Sequence, residues 1–211
     1  MIAVTVDATS TGKPALRRRI RQTRRERLPE RDIEAEATAL ADHVLALVEM
    51  RATGRVCRVA AFESLPTEPP MHRLVERLAA AGHQVVVPVT LPDRDLDWRV
   101  AGTSTPLGLN AIHDSEIVLL PALAADPDGN RLGQGGGSYD RALTRRRPDA
   151  LLVVLLNDGE LLSGGEIPTE DHDVPVHVAV TPSGGAVRLA SAGPRASGPA
   201  APGAPGRRRR G

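Results

Sequence analysis

The chain has 211 residues, enough for one hydrophobic core plus short appendages, and its 27 basic and 26 acidic side chains nearly cancel. Five of the basic residues, Arg195 and Arg207 to Arg210, lie in the last 21 positions, so the first 190 carry 22 basic against 26 acidic side chains, a balance that does not suit a nucleic-acid-binding surface. Phe62, Trp98 and Tyr139 are the only aromatics, which excludes a base-stacking platform; Cys57 is the only cysteine, which excludes an internal disulfide; and no run approaches the ~20 apolar residues of a bilayer crossing, so a soluble, cytoplasmic monomer is expected.

Residues 1 to 12, MIAVTVDATSTG, read as a loose arm. A helix is expected from Lys13 to about Leu28: Pro14 suits a first helical turn, Leu16 and Ile20 are four apart, and the seven arginines between 17 and 27 read, Arg17 aside, mostly as a solvated face. A second helix follows Pro29, with Ile33, Ala37, Leu40, Val44, Leu47 and Val48 forming an apolar stripe behind an acidic first turn. Beyond it, Val-rich runs at 55 to 62 and 84 to 90 suit strands, and 70 to 82 between them suits a helix closed by Gly82. Cys57 lies inside the first of these runs and reads as packed core. Further strands are expected at 116 to 120, 151 to 156 and 176 to 181. Near-continuous apolar strands separated by helices imply an α/β fold, with one domain over 13 to 190: a mostly parallel sheet with helices on both faces, a Rossmann-like open three-layer architecture. Residues 191 to 211 contain only Ser, Ala, Gly, Pro and Arg and are expected to form a disordered tail.

The stretch RLGQGGGSYD, residues 131 to 140, follows the strand expected at 116 to 120 and precedes a short helical run. Three consecutive residues without a Cβ bury no side chain, so they read as a simple glycine-rich surface turn or, in better keeping with the strand and helix on either side, as a ligand site near the backbone: an anion gripped by converging N–H groups at a helix N-terminus. The two common phosphate templates do not fit, because no lysine closes the loop and Ser138 stands where the dinucleotide fingerprint needs a third glycine. Asp140 offers a carboxylate where Mg²⁺ can bridge phosphate oxygens, and Arg131 offers a planar donor fork; taken alone, Asp140 is equally a first-turn helix carboxylate. His172 and His177 flank Asp173 at a spacing that puts them on one face of neither a helix nor a strand, so no transition-metal site is expected there.

Taken with its flanks, DPDGNRLGQGGGSYDRAL (126 to 143) resembles the signature of the 5-formyltetrahydrofolate cyclo-ligase, or methenyltetrahydrofolate synthetase, family. Lys13-Pro14-Ala15-Leu16-Arg17 looks like the family's Lys-x-x-Leu-Arg nucleotide element, and FESLPTEP (62 to 69) sits where the family has a strand-end loop that contacts folate. IPTEDHDVPVHVAVTP (167 to 182) looks like its Pro-x-x-x-x-Asp stretch and last strand. The resemblance implies conversion of 5-formyltetrahydrofolate to 5,10-methenyltetrahydrofolate through a phosphorylated formyl group, with ATP as co-substrate and Mg²⁺ as the metal; composition and charge speak against a membrane or nucleic-acid partner. It implies that Lys13 and Arg17 hold ATP phosphates and that the nucleotide is wrapped by Arg131, Leu132, Gly133 and Gln134, then by Gly135, Gly136, Gly137, Ser138 and Tyr139. Lys13, Arg131 and Tyr139 become the catalytic groups, and Asp140 and Asp173 the Mg²⁺ ligands. Glu63, Glu68, Arg17 and Trp98 fall on the folate side, with Glu68 the better candidate for the pterin, whose adjacent N–H donors a carboxylate accepts in pairs. Without the family pattern, Lys13 reads as a solvated helix-end charge, Glu68 as a capping residue before Pro69, and Asp173 as part of a polar turn.

The chain departs from the family pattern in two places. Gln134 and Ser138 stand where larger residues, basic and aromatic respectively, are frequent, and Ser138 is expected to cap the helix that follows. WRVAGTSTPLGLNAIHDSEI (98 to 117) holds no copy of the family's Gly-x-x-Glu-Pro-like stretch, so a segment that closes the folate pocket is expected to be shortened. The alternative function is a nucleotide-binding paralogue with an altered folate pocket and a regulatory role.

Overall fold

Apolar runs with no polar break need cover on both faces, and a seven-stranded sheet supplies the frame for it. The structure, a computed structural model, describes residues 12–170 and 173–190; the expected arm up to residue 11, His172 and the expected tail from 191 lie outside the described residues. Pro14 opens α1 (Lys13–Arg27), where a missing N–H leaves no helix bond unmade. α2 (Ile33–Ala52) starts at Asp32, whose carboxylate accepts the Ala35 N–H at 3.0 Å, and stops where Thr53 and Gly54 turn left-handed. β1 (Arg58–Ala60), α3 (His72–Ala80) and β2 (Gln84–Thr90) follow, then β3 (Leu96–Val100) and β4 (Ile117–Pro121). A small hairpin of β5 (Ala124–Ala125) and β6 (Arg131–Leu132) leads to α4 (Ser138–Leu143), and β7 (Leu151–Leu155), β8 (Val178–Thr181) and β9 (Gly185–Arg188) complete the chain.

The sheet runs in the order β3-β2-β1-β4-β7-β8-β9; its five inner strands are parallel and both edge strands antiparallel. Side chains alternate between two apolar layers. Ile117 and Leu119 of β4 pack with Leu40, Val44 and Leu74 of α2 and α3, while Val118 and Leu120 pack with Ile112 and Leu143 on the opposite face. That second face is covered by α4 and a single 3₁₀ stretch, Leu109–Asp114. A third cluster, Ile20 with Leu123, Leu132 and Ile167, seats α1 on the hairpin. Among the described residues no helix is long and apolar enough to cross a membrane.

The strand order fixes where ligands can sit. From β1 the chain moves outward to β2 and β3, then crosses back past β1 to β4, so the loops leaving the C-terminal ends of β1 and β4 part in opposite directions and open a crevice between them. Residues 61–71 leave β1 and residues 122–137 leave β4.

Two expectations change. β3, β9 and the β5–β6 hairpin are additional to the expected strands, and the hairpin stands between β4 and the glycine loop, which therefore does not leave the sheet directly. The arginines of α1 are mostly solvated, as expected, with Arg18, Arg19, Arg25 and Arg27 exposed; the exception is Arg24, one turn after Ile20 on the packed side, which is buried. Its guanidinium donates to both oxygens of Glu160 at 2.7 and 2.8 Å and to the Ala122 carbonyl at 2.7 Å, because a charge on that face needs a buried partner. Cys57 is core as expected; burial, foremost, pushes its thiol up to about 11.

Candidate active site

Gly135 and Gly137 take φ of 95° and 71°, which L side chains rarely adopt, and a Cβ on Gly135 would meet the Arg17 guanidinium carbon at 3.4 Å. Gly136 has ordinary φ and room beyond it, so two of the three consecutive glycines are required by the backbone itself. α4 begins at Ser138 with Gly137 as its cap residue and no side-chain cap bond, so the expected serine cap does not form: Ser138 already sits inside the first turn.

α1 lies along this loop. Lys13, Arg17 and Arg21 recur every four residues on one helical stripe. Lys13 Nζ contacts Asp173 at 2.8 Å and Glu170 at 3.3 Å, and Arg17 Nε donates to the Gly133 carbonyl at 2.9 Å. Burial alone would raise the Asp173 carboxyl; hydrogen bonds from Lys13 and the Glu170 backbone hold it below the ordinary carboxylate value. Arg131 donates to the Val174 carbonyl at 2.6 Å and pairs with Asp140. Burial pushes the Arg131 guanidinium down, opposed by the Asp140 and Asp173 carboxylates.

Two cavities flank the loop. One, of about 350 Å³, is lined by Lys13, Arg17, Arg131, Asp140, Glu170 and Asp173 together with Gly133, Gly135 and Gly137. The other, of about 380 Å³, is walled by Phe62, Leu65, Glu68, Leu96 and Tyr139 and by the whole run from Gly133 to Asp140. Glu68 is buried there, accepting the Leu65 N–H at 3.0 Å and the Gln134 Nε2 at 2.9 Å. Glu63 lines the mouth of this cavity and pairs with Arg99. The Tyr139 hydroxyl is buried without a hydrogen-bond partner; burial and then the Glu68 charge push its pKa up, so the phenol stays protonated.

The sequence pattern of the 5-formyltetrahydrofolate cyclo-ligase family matches residues 9–182. The 5-formyltetrahydrofolate cyclo-ligase of Mycolicibacterium smegmatis is 35% identical over 196 residues, spanning 84% of this chain and 97% of that protein. The chain belongs to the 5-formyltetrahydrofolate cyclo-ligase family. It is an enzyme of that kind, a ligase of folate metabolism. The Escherichia coli cyclo-ligase is 31% identical over 143 residues, 59% of this chain and 78% of that one. The fold is that of two solved 5,10-methenyltetrahydrofolate synthetases: from Mycoplasma pneumoniae, with a TM-score of 0.64 at 20% identity over 79% of this chain and 96% of that one, and from Aquifex aeolicus, with a TM-score of 0.61 at 19% identity over 86% and 94%.

Of the residues that the cyclo-ligase resemblance selected, the structure gathers Lys13, Arg17, Arg131, Asp140 and Asp173 around one cavity and Glu63, Glu68, Gln134 and Tyr139 around the other. Arg131, Gly133, Gly135, Gly137 and Asp140 line both, whereas Gln134, Gly136, Ser138 and Tyr139 line only the second. Two residues are corrected. Trp98 lines neither cavity: it is fully buried, its large ring filling the layer that includes Ile112 and Leu143, while Leu96 two residues earlier on β3 reaches the ligand wall. The Leu132 side chain is also core, packed with Ile20 and Leu123, because the strand alternation of β6 turns it away from Arg131. His177 accepts the Leu152 N–H on Nδ1 at 2.9 Å and serves the sheet. Sequence reasoning missed Arg21, Glu170 and Arg99; for Arg21 the signal was present in the four-residue spacing from Lys13 and Arg17.

Proposed function

We propose that the chain converts 5-formyltetrahydrofolate to 5,10-methenyltetrahydrofolate at the expense of ATP, with Mg²⁺, using residues 13 to 190 as one catalytic domain. The observation that carries this is the shared wall: a cavity rich in cations and carboxylates and a largely apolar cavity with one buried carboxylate meet along Gly133–Gly137. A triphosphate on one side and a folate on the other therefore approach each other across a loop without side-chain bulk.

The residues fit both groups. Gly135 and Gly137 hold a cradle that a Cβ would fill, and Lys13, Arg17 and Arg131 give the cationic donors that phosphoryl transfer needs. Among the described residues no three metal-ligating side chains cluster, and Asp140 with Asp173 matches the one or two carboxylates with which Mg²⁺ is usually held beside phosphate oxygens. Bound there, Mg²⁺ would neutralise charge on the transferred group. Lys13 and Arg131 now pair with the same carboxylates, so ligand arrival lets the cations turn to phosphate and the carboxylates to metal.

On the folate side Glu68 accepts pterin N–H donors, and Glu63 and Leu65 edge the opening. The formyl oxygen takes the γ-phosphoryl group and ADP leaves; N10 then bonds to the activated carbon, its proton is lost, and phosphate leaves with the former formyl oxygen. The protonated Tyr139 has an O–H to donate, which suits it to a developing negative oxygen, and its raised pKa argues against a role as the base. Purified chain mixed with ATP, MgCl₂ and 5-formyltetrahydrofolate is expected to generate the methenyl chromophore, and to stop when either ATP or Mg²⁺ is withheld. Stabilisation by ATP without any turnover at high enzyme concentration would overturn the reading. Mass measurement on the same preparation checks that the chain acts as a monomer.

A further inference from the structure

Arg21 shares the stripe of Lys13 and Arg17 but lines neither cavity. Its guanidinium grips Gln134 instead: Nη2 donates to the backbone carbonyl at 2.7 Å and to Oε1 at 3.0 Å, and Nε donates to Oε1 at 3.2 Å. Arginine has donors only, so holding Oε1 decides which end of the amide is turned away from it. The end turned away is Nε2, which donates to Glu68 Oε1 at 2.9 Å. The other Glu68 oxygen accepts the Leu65 N–H at 3.0 Å. A buried carboxylate is thus fixed at both oxygens by neutral donors, with further lone pairs left to accept from a ligand. A flipped amide at position 134 would set oxygen against oxygen, and Arg21 prevents that flip.

We propose that Arg21 is a positioning residue for the folate: acting through Gln134, it aims the Glu68 carboxylate at the paired N–H donors of the pterin while touching no ligand itself. This rests on the cyclo-ligase reading of the site. The helix that presents Lys13 and Arg17 to the phosphates then also sets how the opposite cavity reads its substrate, and Gln134, although part of the glycine loop, serves the folate side with its amide.

The test is steady-state kinetics on the full chain and on Arg21→Met, Arg21→Lys, Gln134→Leu and the Arg21→Met/Gln134→Leu double variant. Arg21→Met is expected to raise KM for 5-formyltetrahydrofolate about tenfold and to leave KM for ATP within about twofold, with Arg21→Lys recovering part of the loss. Gln134→Leu is expected to match Arg21→Met, and the double variant to be no worse than either single one, because both cut the same relay. Should Arg21→Met fold poorly, Gln134→Leu leaves α1 intact and gives the same readout. Folate KM unchanged in both single variants, or ATP and folate KM rising in parallel, would overturn the relay alone. Absence of turnover in the unsubstituted chain would overturn the function reading and the relay with it.

Discussion

On one side of the glycine loop Lys13 and Arg131 already touch carboxylates, Asp173 and Asp140; on the other, the buried Glu68 carboxylate accepts from an amide and a backbone N–H. On the proposed reading the first cavity exchanges partners when ATP and Mg²⁺ enter, trading internal ion pairs for phosphate and metal contacts. The second holds its buried carboxylate between neutral donors, so a ligand that brings two N–H donors finds it already oriented. Phosphate binding is therefore expected to depend on the balance of charges, and folate binding on the direction of one side chain.

The largest effect should come from the support common to both sides. Arg24→Met leaves Glu160 buried without its cation, a class of change that costs about 3–5 kcal/mol. Denaturant unfolding is expected to show that loss, and any folded fraction should have both KM values raised together. An effect on one substrate alone would mean that α1 does not brace both cavities.

Next in size is Lys13→Met, which breaks the comparison from the phosphate side. About a 100-fold fall in kcat/KM is expected in the chromophore assay, in the range for removing one preorganised charged donor. The variant also has a pH signature. Asp173 is held below its ordinary value of 3.8, so its contribution to stability is present above that value and is lost as pH falls through the lower, folded one. Without Lys13, burial is opposed by fewer donors and the folded value rises, so thermal melts should lose stability at a higher pH than in the unsubstituted chain.

The contrast between the cavities also explains what could be read from the sequence. The charged cavity comes from short local patterns: Lys13 and Arg17 one turn apart, and Arg131 to Asp140 in one run, with chemistry named by residue type. The parallel strands were legible for a similar reason, since an unbroken run such as 151 to 155 has one way to be buried. The wall of the second cavity comes from the loop after β1, from β2 and β3 and from the glycine loop together, and nothing in 96 to 98 says that Leu96 lines a cavity while Trp98 fills the core. Position along an edge strand decides that, and only the tertiary packing sets it. The β5–β6 hairpin has two residues per strand, too few for any period to show. Arg24 hid among its exposed neighbours because its partner Glu160 lies 136 residues away.

Smaller, and able to sharpen the comparison at the loop itself, is the pair Gly135→Ala and Gly136→Ala. At Gly135 an L residue must hold φ near 95° and its Cβ presses on Arg17, whereas at Gly136 the nearest atom beyond the chain neighbours is Ser138 Oγ at 3.8 Å. A strain of about 1–2 kcal/mol is expected at the first position, read as a rise of about tenfold in ATP KM, and little at the second. Because Arg17 is the atom displaced, ATP KM should move more than folate KM; the reverse order would assign Gly135 to the folate wall.

The smallest expected effect is at the mouth of the second cavity. Arg99 and Glu63 form an ion pair whose Glu63 side chain is 65% exposed, so water and salt already screen it. Arg99→Met should change stability by less than about 1 kcal/mol and folate KM by no more than about twofold, leaving ATP KM unmoved. Adding about 0.5 M salt shortens the Debye length well below 10 Å and should erase even that difference between the variant and the unsubstituted chain. A rise of tenfold or more that survives salt would mean that Arg99 touches the substrate, and that the folate side, like the phosphate side, works by exchanging a charge it already holds.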